Sequence, residues 1–317
     1  MPVNIPGISI FSGAPPLADE FATTGRVYWV GSAAIEGGTV GVDAAGANGN
    51  SPKQPFATIN YAAGSDRVAA NRGDLIVVLP GHVETISAAN VVDIAVAGLK
   101  IIGLGWGLSR PQINLITAVG ASFRINANST YIRNIRFTGG FDNLTNAIVI
   151  NGVTDCVLRD IEYRDVTGQA AIGLLAANNS DRLLIDGLTY FGAAAAGSTA
   201  CLQFDGCDDL ELKNFRLEGN ASTSLINCAT TLSARVWIHD GRMWQQNAAD
   251  VCINDAITGS TGGIGPRLFM MLTDNAANIT EAVTGATFHL FDDQVQVVNL
   301  VNEKSMAINW TASTDAA

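Results

Sequence analysis

Thr130-Tyr131-Ile132-Arg133-Asn134-Ile135-Arg136-Phe137 opens a stretch in which one short phrase returns four more times. It comes back as Val157-Leu158-Arg159-Asp160-Ile161-Glu162-Tyr163 and as Leu184-Ile185-Asp186-Gly187-Leu188-Thr189-Tyr190. The last two copies are Leu210-Glu211-Leu212-Lys213-Asn214-Phe215-Arg216-Leu217 and Val236-Trp237-Ile238-His239-Asp240-Gly241-Arg242-Met243. With the central Asn or Asp as marker, the positions are Asn134, Asp160, Asp186, Asn214 and Asp240, separated by 26, 26, 28 and 26 residues. A period of that size marks a solenoid, in which each repeat buries its apolar side only by stacking on its neighbours.

Within each phrase apolar and polar residues alternate, which is strand periodicity. The marker sits between two strands and suits a single residue in the left-handed region, where a short polar side chain satisfies the local backbone. A Gly follows the Asp in the third and fifth copies, and in the third Leu188 and Tyr190 fall one place late, as an inserted bulge residue would make them. A further strand follows each phrase, at 147–150, 172–175, 201–204, 225–228 and 251–254. Helical solenoids are disfavoured, because no repeat contains an amphipathic run of ten residues. The pattern predicts an all-β parallel β-helix.

Charged residues make up 15% of the chain and hydrophobic residues 48%, with 33 glycines, a mixture that fits short strands joined by tight turns. The net charge of −11 and the absence of any basic run argue against nucleic-acid binding. The five cysteines, at 156, 201, 207, 228 and 252, are odd in number and lack CxxC spacing. No disulfide framework is expected, which fits folding in a reducing cytoplasm. Cys201, Cys228 and Cys252 fall on the further strands and are expected to stack there as small buried side chains. The chain has neither a standard export signal nor an apolar run long enough to span a membrane.

Residues 1–25 hold Pro2, Pro6, Pro15 and Pro16 among scattered apolar residues, which predicts an extended arm. Ile5, Ile8, Ile10 and Phe11 are its candidate docking residues, toward either its own solenoid or a partner. Val27-Tyr28-Trp29-Val30 reads as a strand, followed by a Gly-rich loop. Thr58 is placed to cap a short helix over about 58–72, and 73–82 reads as a buried strand closed by Pro80-Gly81.

Here the chain resembles a known family. Tyr28, Asp43, Asn48-Gly49-Asn50-Ser51-Pro52, Pro55-Phe56-Ala57-Thr58-Ile59, Gly73-Asp74 and Pro80-Gly81 are similar to the opening of right-handed parallel β-helix proteins of the pectate-lyase-like superfamily. In that superfamily the helix plugs the N-terminal end of the solenoid, which would otherwise expose core and strand edges. The form Pro80-Gly81-His82-Val83-Glu84-Thr85 resembles proteins of tailed bacteriophages.

The repeat pattern breaks at Gly259-Ser260-Thr261-Gly262-Gly263. The β-helix is therefore assigned to 26–262 and a C-terminal β cap and oligomerisation region to 263–317. Asn302-Glu303-Lys304-Ser305 reads as a hairpin turn. Phe288, Leu290, Phe291, Val297 and Trp310 are its candidate subunit contacts.

Superfamily enzymes cut polysaccharides, so acids on one outer face are the first candidates for chemistry. Asp205, Asp208, Asp209 and Glu211 form such a group, with Asp181 and Asp186 one coil earlier. Glycoside hydrolysis needs two carboxylates about 5–10 Å apart, which neighbouring coils could supply. The competing reading is that Asp181, Asp208 and Asp209 make turns before strands. The Gly-His-Gly and Asn-Thr-Asp of polygalacturonase-like enzymes are missing, and the calcium carboxylates of pectate lyases cannot be placed. Arg133, Arg159, Lys213 and His239 precede the markers and could form a basic ladder for acidic sugars. His82, His239 and His289 lack metal-ligand spacing, so no metal or cofactor is expected.

Three functional readings remain. The chain is a structural virion protein of a tailed phage, a trimer decorating the capsid. Alternatively it is a tail spike or fibre segment that binds or cleaves surface glycan, or a polysaccharide lyase or hydrolase. The resemblance favours the first. Its expected partners are two further copies of itself and the major capsid or tail proteins, and its location is the capsid surface after synthesis in the host cytoplasm.

Overall fold

The computed structural model describes residues 21–273, apart from 45–46, 48, 88–91, 117, 166–169, 194–197, 229, 249, 256 and 258. Beyond 273 it describes the strand segments 283–284, 288–290, 295–299 and 304–307. Its strands wind as a right-handed parallel β-helix with three faces.

The first face stacks Val27–Val30, Leu75–Val78, Lys100–Gly103, Tyr131–Arg133, Val157–Arg159 and Leu184–Asp186 in parallel. The second stacks Val83–Thr85, Gln112–Leu115, Arg136–Gly139, Glu162–Asp165 and Thr189–Phe191. Two longer strands, Glu211–Gly219 and Val236–Gln245, run through the corner and join these faces into one sheet. The third face is an eight-stranded sheet containing Leu144–Asn151, Ala170–Ala177, Ser198–Asp205, Ala221–Cys228 and Val251–Asp255. The further strands read from the sequence all lie on it.

Alternate residues of each strand point inward, so each apolar position of the repeat becomes a column. On the second face Phe137, Tyr163, Tyr190, Leu217, Met243, Met270 and Val297 follow one another in register, all buried. Tyr163 and Tyr190 stack at 4.6 Å. All five cysteines are buried and free. They do not form one column, however. Cys201 and Cys252 flank the coil of Leu225, whereas Cys228 lies opposite Asp255.

Four markers adopt the left-handed conformation, with φ of 58° at Asn134 and 53° at Asp160, Asn214 and Asp240. Asp186 does not. It stays in the strand, in register with Arg159 and Lys213, and Gly187 takes the turn at φ 82°. The left-handed residues therefore fall at 134, 160, 187, 214 and 240, which evens the steps to 26, 27, 27 and 26. The turn needs a positive φ, and glycine reaches it without the Cβ clash that an Asp must offset.

The N-terminal end is closed by one helical turn, Ile59–Ala62, shorter than the 58–72 segment expected. Thr58 is its cap, accepting the Tyr61 N–H at 3.1 Å and held by Asp43 at 2.6 Å. Gly64 follows almost at once, and the Arg67 guanidinium lies 3.4 Å from the centre of the Tyr61 ring, so the chain folds back instead of extending the helix.

Parallel stacking does not stop where the sequence pattern breaks. Gly262–Ile264 and Leu268–Leu272 pair with Val236–Gln245, and Phe288–Leu290 and Val295–Asn299 pair with them in turn. Among the described strands only Lys304–Ala307 runs antiparallel, against Val295–Asn299; Lys304 and Ser305, expected in the hairpin turn, lie in this strand, and Asn302 and Glu303 lie outside the described residues. Val297 is fully buried within the chain's own core, so it is not on a surface that a partner could reach. Phe288 and Leu290 are described as backbone only. Phe291, Trp310 and the arm residues Ile5, Ile8, Ile10 and Phe11 lie outside the described residues.

Candidate functional site

The acids singled out in the sequence are distributed over turns and strand ends, and each is engaged. Asp205 ends a third-face strand, is buried, and accepts hydrogen bonds from Thr230 N at 3.1 Å and Gln203 Nε2 at 2.5 Å. Asp208 accepts from Ala234 N at 3.0 Å on the next coil, while its own N–H donates to Asp181 Oδ1 at 3.0 Å. Asp209 receives both Nε and Nη2 of Arg235, at 2.5 and 2.9 Å. Glu211 lies between Lys213 Nζ at 2.9 Å and His239 Nε2 at 3.0 Å.

The contacts of Asp208 and Asp209 belong to a second left-handed turn ladder. Asn71, Ser129, Asp155, Arg182, Asp209 and Arg235 all have φ between 53° and 60°, and Gly98 completes the row at 77°. The N–H of each of the first six, Gly98 included, donates to a carbonyl of the next coil, to residues 97, 128, 154, 181, 208 and 234 in turn. In the last four members the signs alternate as Asp155, Arg182, Asp209, Arg235. Arg182 grips Asp155 at 2.7 and 2.9 Å, as Arg235 grips Asp209. The hydrogen bond from each arginine, followed by its charge, holds the carboxyls of Asp155 and Asp209 below the usual range. The acids serve the scaffold.

The basic ladder is interrupted. Arg133, Arg159, Asp186, Lys213 and His239 follow in register, so an acid sits in the middle of the row. Arg133 pairs with Asp160 at 2.8 Å, Arg159 with Asp186 at 3.3 Å, and His239 Nδ1 with Asp240 at 2.6 Å. Burial raises the Glu211 carboxyl, but hydrogen bonds from Lys213 and His239 outweigh it and keep the pKa low. The row is neutralised from within.

The outer side of the second face is different. One outward column runs Gln112, Arg136, Glu162, Thr189, Arg216, Arg242, Phe269, and the other Asn114, Thr138, Arg164, Phe191, Glu218, Trp244. Glu162 lies among three guanidiniums, with Arg110 at 3.0 Å, Arg136 at 3.2 Å and Arg164 in direct contact. Burial raises its carboxyl, yet the charge of Arg136 and the hydrogen bonds of Arg164 and Arg136 more than offset this. Phe191 lies between two further contacts, its ring centre 5.1 Å from the Arg164 guanidinium and 5.0 Å from that of Arg216. Arg242 is exposed and, among the described residues, has no ion-pair partner. The loop beside Arg110 projects Trp106 and Leu108, 85% and 96% exposed, and Arg136 Nη2 donates to Gly107 O at 2.9 Å.

The sequence reading missed this face because its members stand a coil apart, 24 to 27 residues along the chain. The signal was available: Arg136, Arg216 and Arg242 occupy the same place, two residues after the marker, in three of the five phrases. A surface depression of about 260 Å³ near the N-terminus, lined in part by Thr39, Val42, Gln54 and Pro55, holds no titratable side chain.

No family model matches the sequence, and no curated protein matches it. Among solved structures the chain resembles a rhamnogalacturonan lyase, at 12% identity over 80% of this chain and 75% of that one, with a TM-score of 0.50. It also resembles an alginate lyase from Paenibacillus sp. str. FPU-7, at 12% identity over 70% of this chain and 92% of that one, with a TM-score of 0.40. A third likeness is to the Streptococcus pneumoniae surface protein and adhesin PfbA, at 10% identity over 70% and 76%, with a TM-score of 0.39. The first of these supports the parallel β-helix fold. Activity does not follow from fold, since functions are grafted onto a shared scaffold.

Proposed function

We propose that this protein is a non-catalytic structural component of a tailed-phage virion, docked on the capsid surface as a trimer, with residues 1–25 directed toward the particle. The observation that carries the non-catalytic part is the engagement of Asp205, Asp208, Asp209 and Glu211 in coil-to-coil contacts, Glu211 through His239. A glycosidase needs one protonated and one ionised carboxyl free to flank a bond. Here the acids that flank the turns hold arginines and backbone amides instead. The virion assignment is supported by the opening motif through Pro80-Gly81-His82-Val83-Glu84-Thr85, which resembles tailed-phage proteins. A β-helix suits a decoration role, because its stability is built coil on coil without a ligand.

A tail-spike reading is favoured by one observation, the cationic and aromatic outer side of the second face. It differs from the decoration reading in where the protein sits and in including the binding or cleavage of a surface glycan. Incubation with acidic and neutral capsular polysaccharides should release no new reducing or unsaturated ends. Cleavage that disappears in Asp208→Asn or Asp209→Asn would establish the enzyme reading instead. Electron microscopy of source particles labelled with an antibody against this chain should place it on the capsid; label confined to the tail would move it to the spike. A monomer in light scattering would end the trimer assignment.

A further inference from the structure

We infer that the outer side of the first face is a docking surface for Leu17-Ala18-Asp19-Glu20 of this same chain, with Leu17 on Val157 and the two carboxylates on Arg133 and Arg159. The inference concerns the chain by itself and does not depend on the virion assignment. An arm that docks elsewhere would then leave the body before Leu17, not after Gly25.

The first argument is what covers this face at its start. On the first three coils the residues that point outward are as apolar as those that point in. Trp29, Leu75, Val77, Leu79 and Ile102 form a buried cluster of their own, outside the core that Tyr28, Val30, Ile76, Val78 and Ile101 help to make. A strand buried on both sides reads as a continuous apolar run, as Leu75–Val78 does. Phe21 and Ile35 pack over the outer cluster, together with Leu104 and Tyr131. The chain around Phe21 thus serves as a cover, and traced backward it passes from the second coil to the third. Arg26 O accepts from Leu75 N at 2.9 Å, whereas Ala22 O accepts from Lys100 Nζ at 3.0 Å. Residues 17–20 lie outside the described residues, and they join the body at this point.

The second argument is what the next coils offer. The column of Leu75 and Lys100 continues through Tyr131, Val157 and Leu184, all half-buried on the outer side. The column beside it continues from Ile102 to Arg133 and Arg159. The surface is an apolar row edged by two guanidiniums. Residues 17–20 carry the matching groups, Leu17 with Asp19 and Glu20, and these two acids are the only charged side chains in residues 1–25. Arg133 pairs with Asp160 and Arg159 with Asp186. A guanidinium has five N–H donors, more than one carboxylate can accept, so each arginine can hold a second acid.

Spacing is the third. Leu17 and Phe21 are four residues apart, and residues i and i+4 share a side in a helix and in a strand alike. Their separation is about 6 Å in a helix and about 13 Å when extended. Tyr131 and Val157 stand one and two coils beyond Lys100, about 5 and 10 Å along the axis. Leu17 therefore reaches Val157 while Phe21 stays on the outer cluster. A segment tethered at Phe21 also acts at an effective concentration of about a millimolar, which a separate copy does not match in dilute solution.

The test uses the full chain with an engineered cysteine pair, since the five native cysteines are buried. A disulfide needs Cα atoms within about 7 Å, so its rate of formation reports contact. Under mild oxidation Leu17→Cys with Val157→Cys should close within one chain. It should do so about tenfold or more faster than Leu17→Cys with Thr189→Cys on the second face, where only the tether acts. Adding Asp19→Asn and Glu20→Gln should slow the first pair about fivefold in dilute buffer. That difference should disappear at about 1 M salt. Both acids lie outside the solenoid, and an unaltered thermal melt would verify that each variant keeps its fold. The inference is overturned if the two cysteine pairs close at the same rate, if the disulfide joins two chains, or if the neutralised segment closes as fast as the charged one at low salt.

Discussion

The ring of Phe215 occupies the space in which a side chain on Gly241 would begin: a Cβ there would lie 2.1 Å from Phe215 Cζ. The two residues face each other in register on adjacent coils, in a row that elsewhere reads Ile135, Ile161, Leu188. A large residue on one coil is thus matched by the absence of one on the next. Gly241→Ala is expected to destabilise the fold by about 1–3 kcal/mol through overpacking. Phe215→Leu in the same chain should restore part of that loss, because the two sites share one space. Urea denaturation of the two single variants and the double variant would measure the coupling, and simple additivity would contradict it.

Gly187 has a different reason to be glycine. Its φ is 82°, and a Cβ would meet Asp160 Oδ1 at 3.0 Å. Gly187→Ala should cost about 1–2 kcal/mol from the left-handed backbone alone. Gly187→Asn should cost less, since Asn134 and Asn214 occupy the same turn on other coils. Equal losses for Ala and Asn would show that space and not backbone conformation decides.

Asp165 is half-buried beside Tyr163, whose hydroxyl donates to it at 2.8 Å. Burial dominates and raises its pKa from about 3.8 to about 6, the tyrosine hydrogen bond offsetting only part. A raised pKa means that its contribution to stability is complete below about pH 4 and is lost as the pH rises through about 6. At neutral pH the ionised group costs on the order of 3 kcal/mol. Asp165→Asn should therefore be more stable than the parent at pH 7.5 and closer to it at pH 4. Asp74 has the opposite sign. Burial raises its carboxyl, but hydrogen bonds from Arg72, Arg26 N and Ala69 N win, so its contribution disappears toward acid pH. Thermal melts across that range would separate the two.

Arg182→Gln and Arg235→Gln each remove one bidentate pair from an exposed row. A small loss of stability is expected in dilute buffer. It should vanish at about 1 M salt, where the screening length falls to about 3 Å. A loss of equal size at both ionic strengths would mean that the arginines act by packing instead of charge.

The period, the strands and the marker turn were legible because each is a local pattern repeated at one interval. The same dipeptide, Asp-Gly, appears at Asp186-Gly187 and Asp240-Gly241, yet the sequence does not reveal that one glycine turns the chain and the other makes room for Phe215. That distinction depends on what the neighbouring coil places opposite. The second turn ladder was hidden by chemistry: Asn71, Gly98, Ser129, Asp155, Arg182, Asp209 and Arg235 share a backbone conformation and no residue type. Arginine at positive φ has no propensity signature, since tertiary hydrogen bonds impose it. The acids drew the functional reading because carboxylates suggest catalysis in this fold. The arginine and aromatic columns escaped it because their members come together only when the coils are stacked.

The alternation Asp155, Arg182, Asp209, Arg235 also sets a rule of parity for the length of this solenoid. Remove the single coil that carries Arg182, and Asp155 comes to rest against Asp209. Like charges then meet at a turn where the backbone is already held in the left-handed region. Remove two coils, and Asp155 meets Arg235, so that opposite charges face each other again. A chain that gained or lost material by duplication along this segment would keep its turns compatible only in even steps.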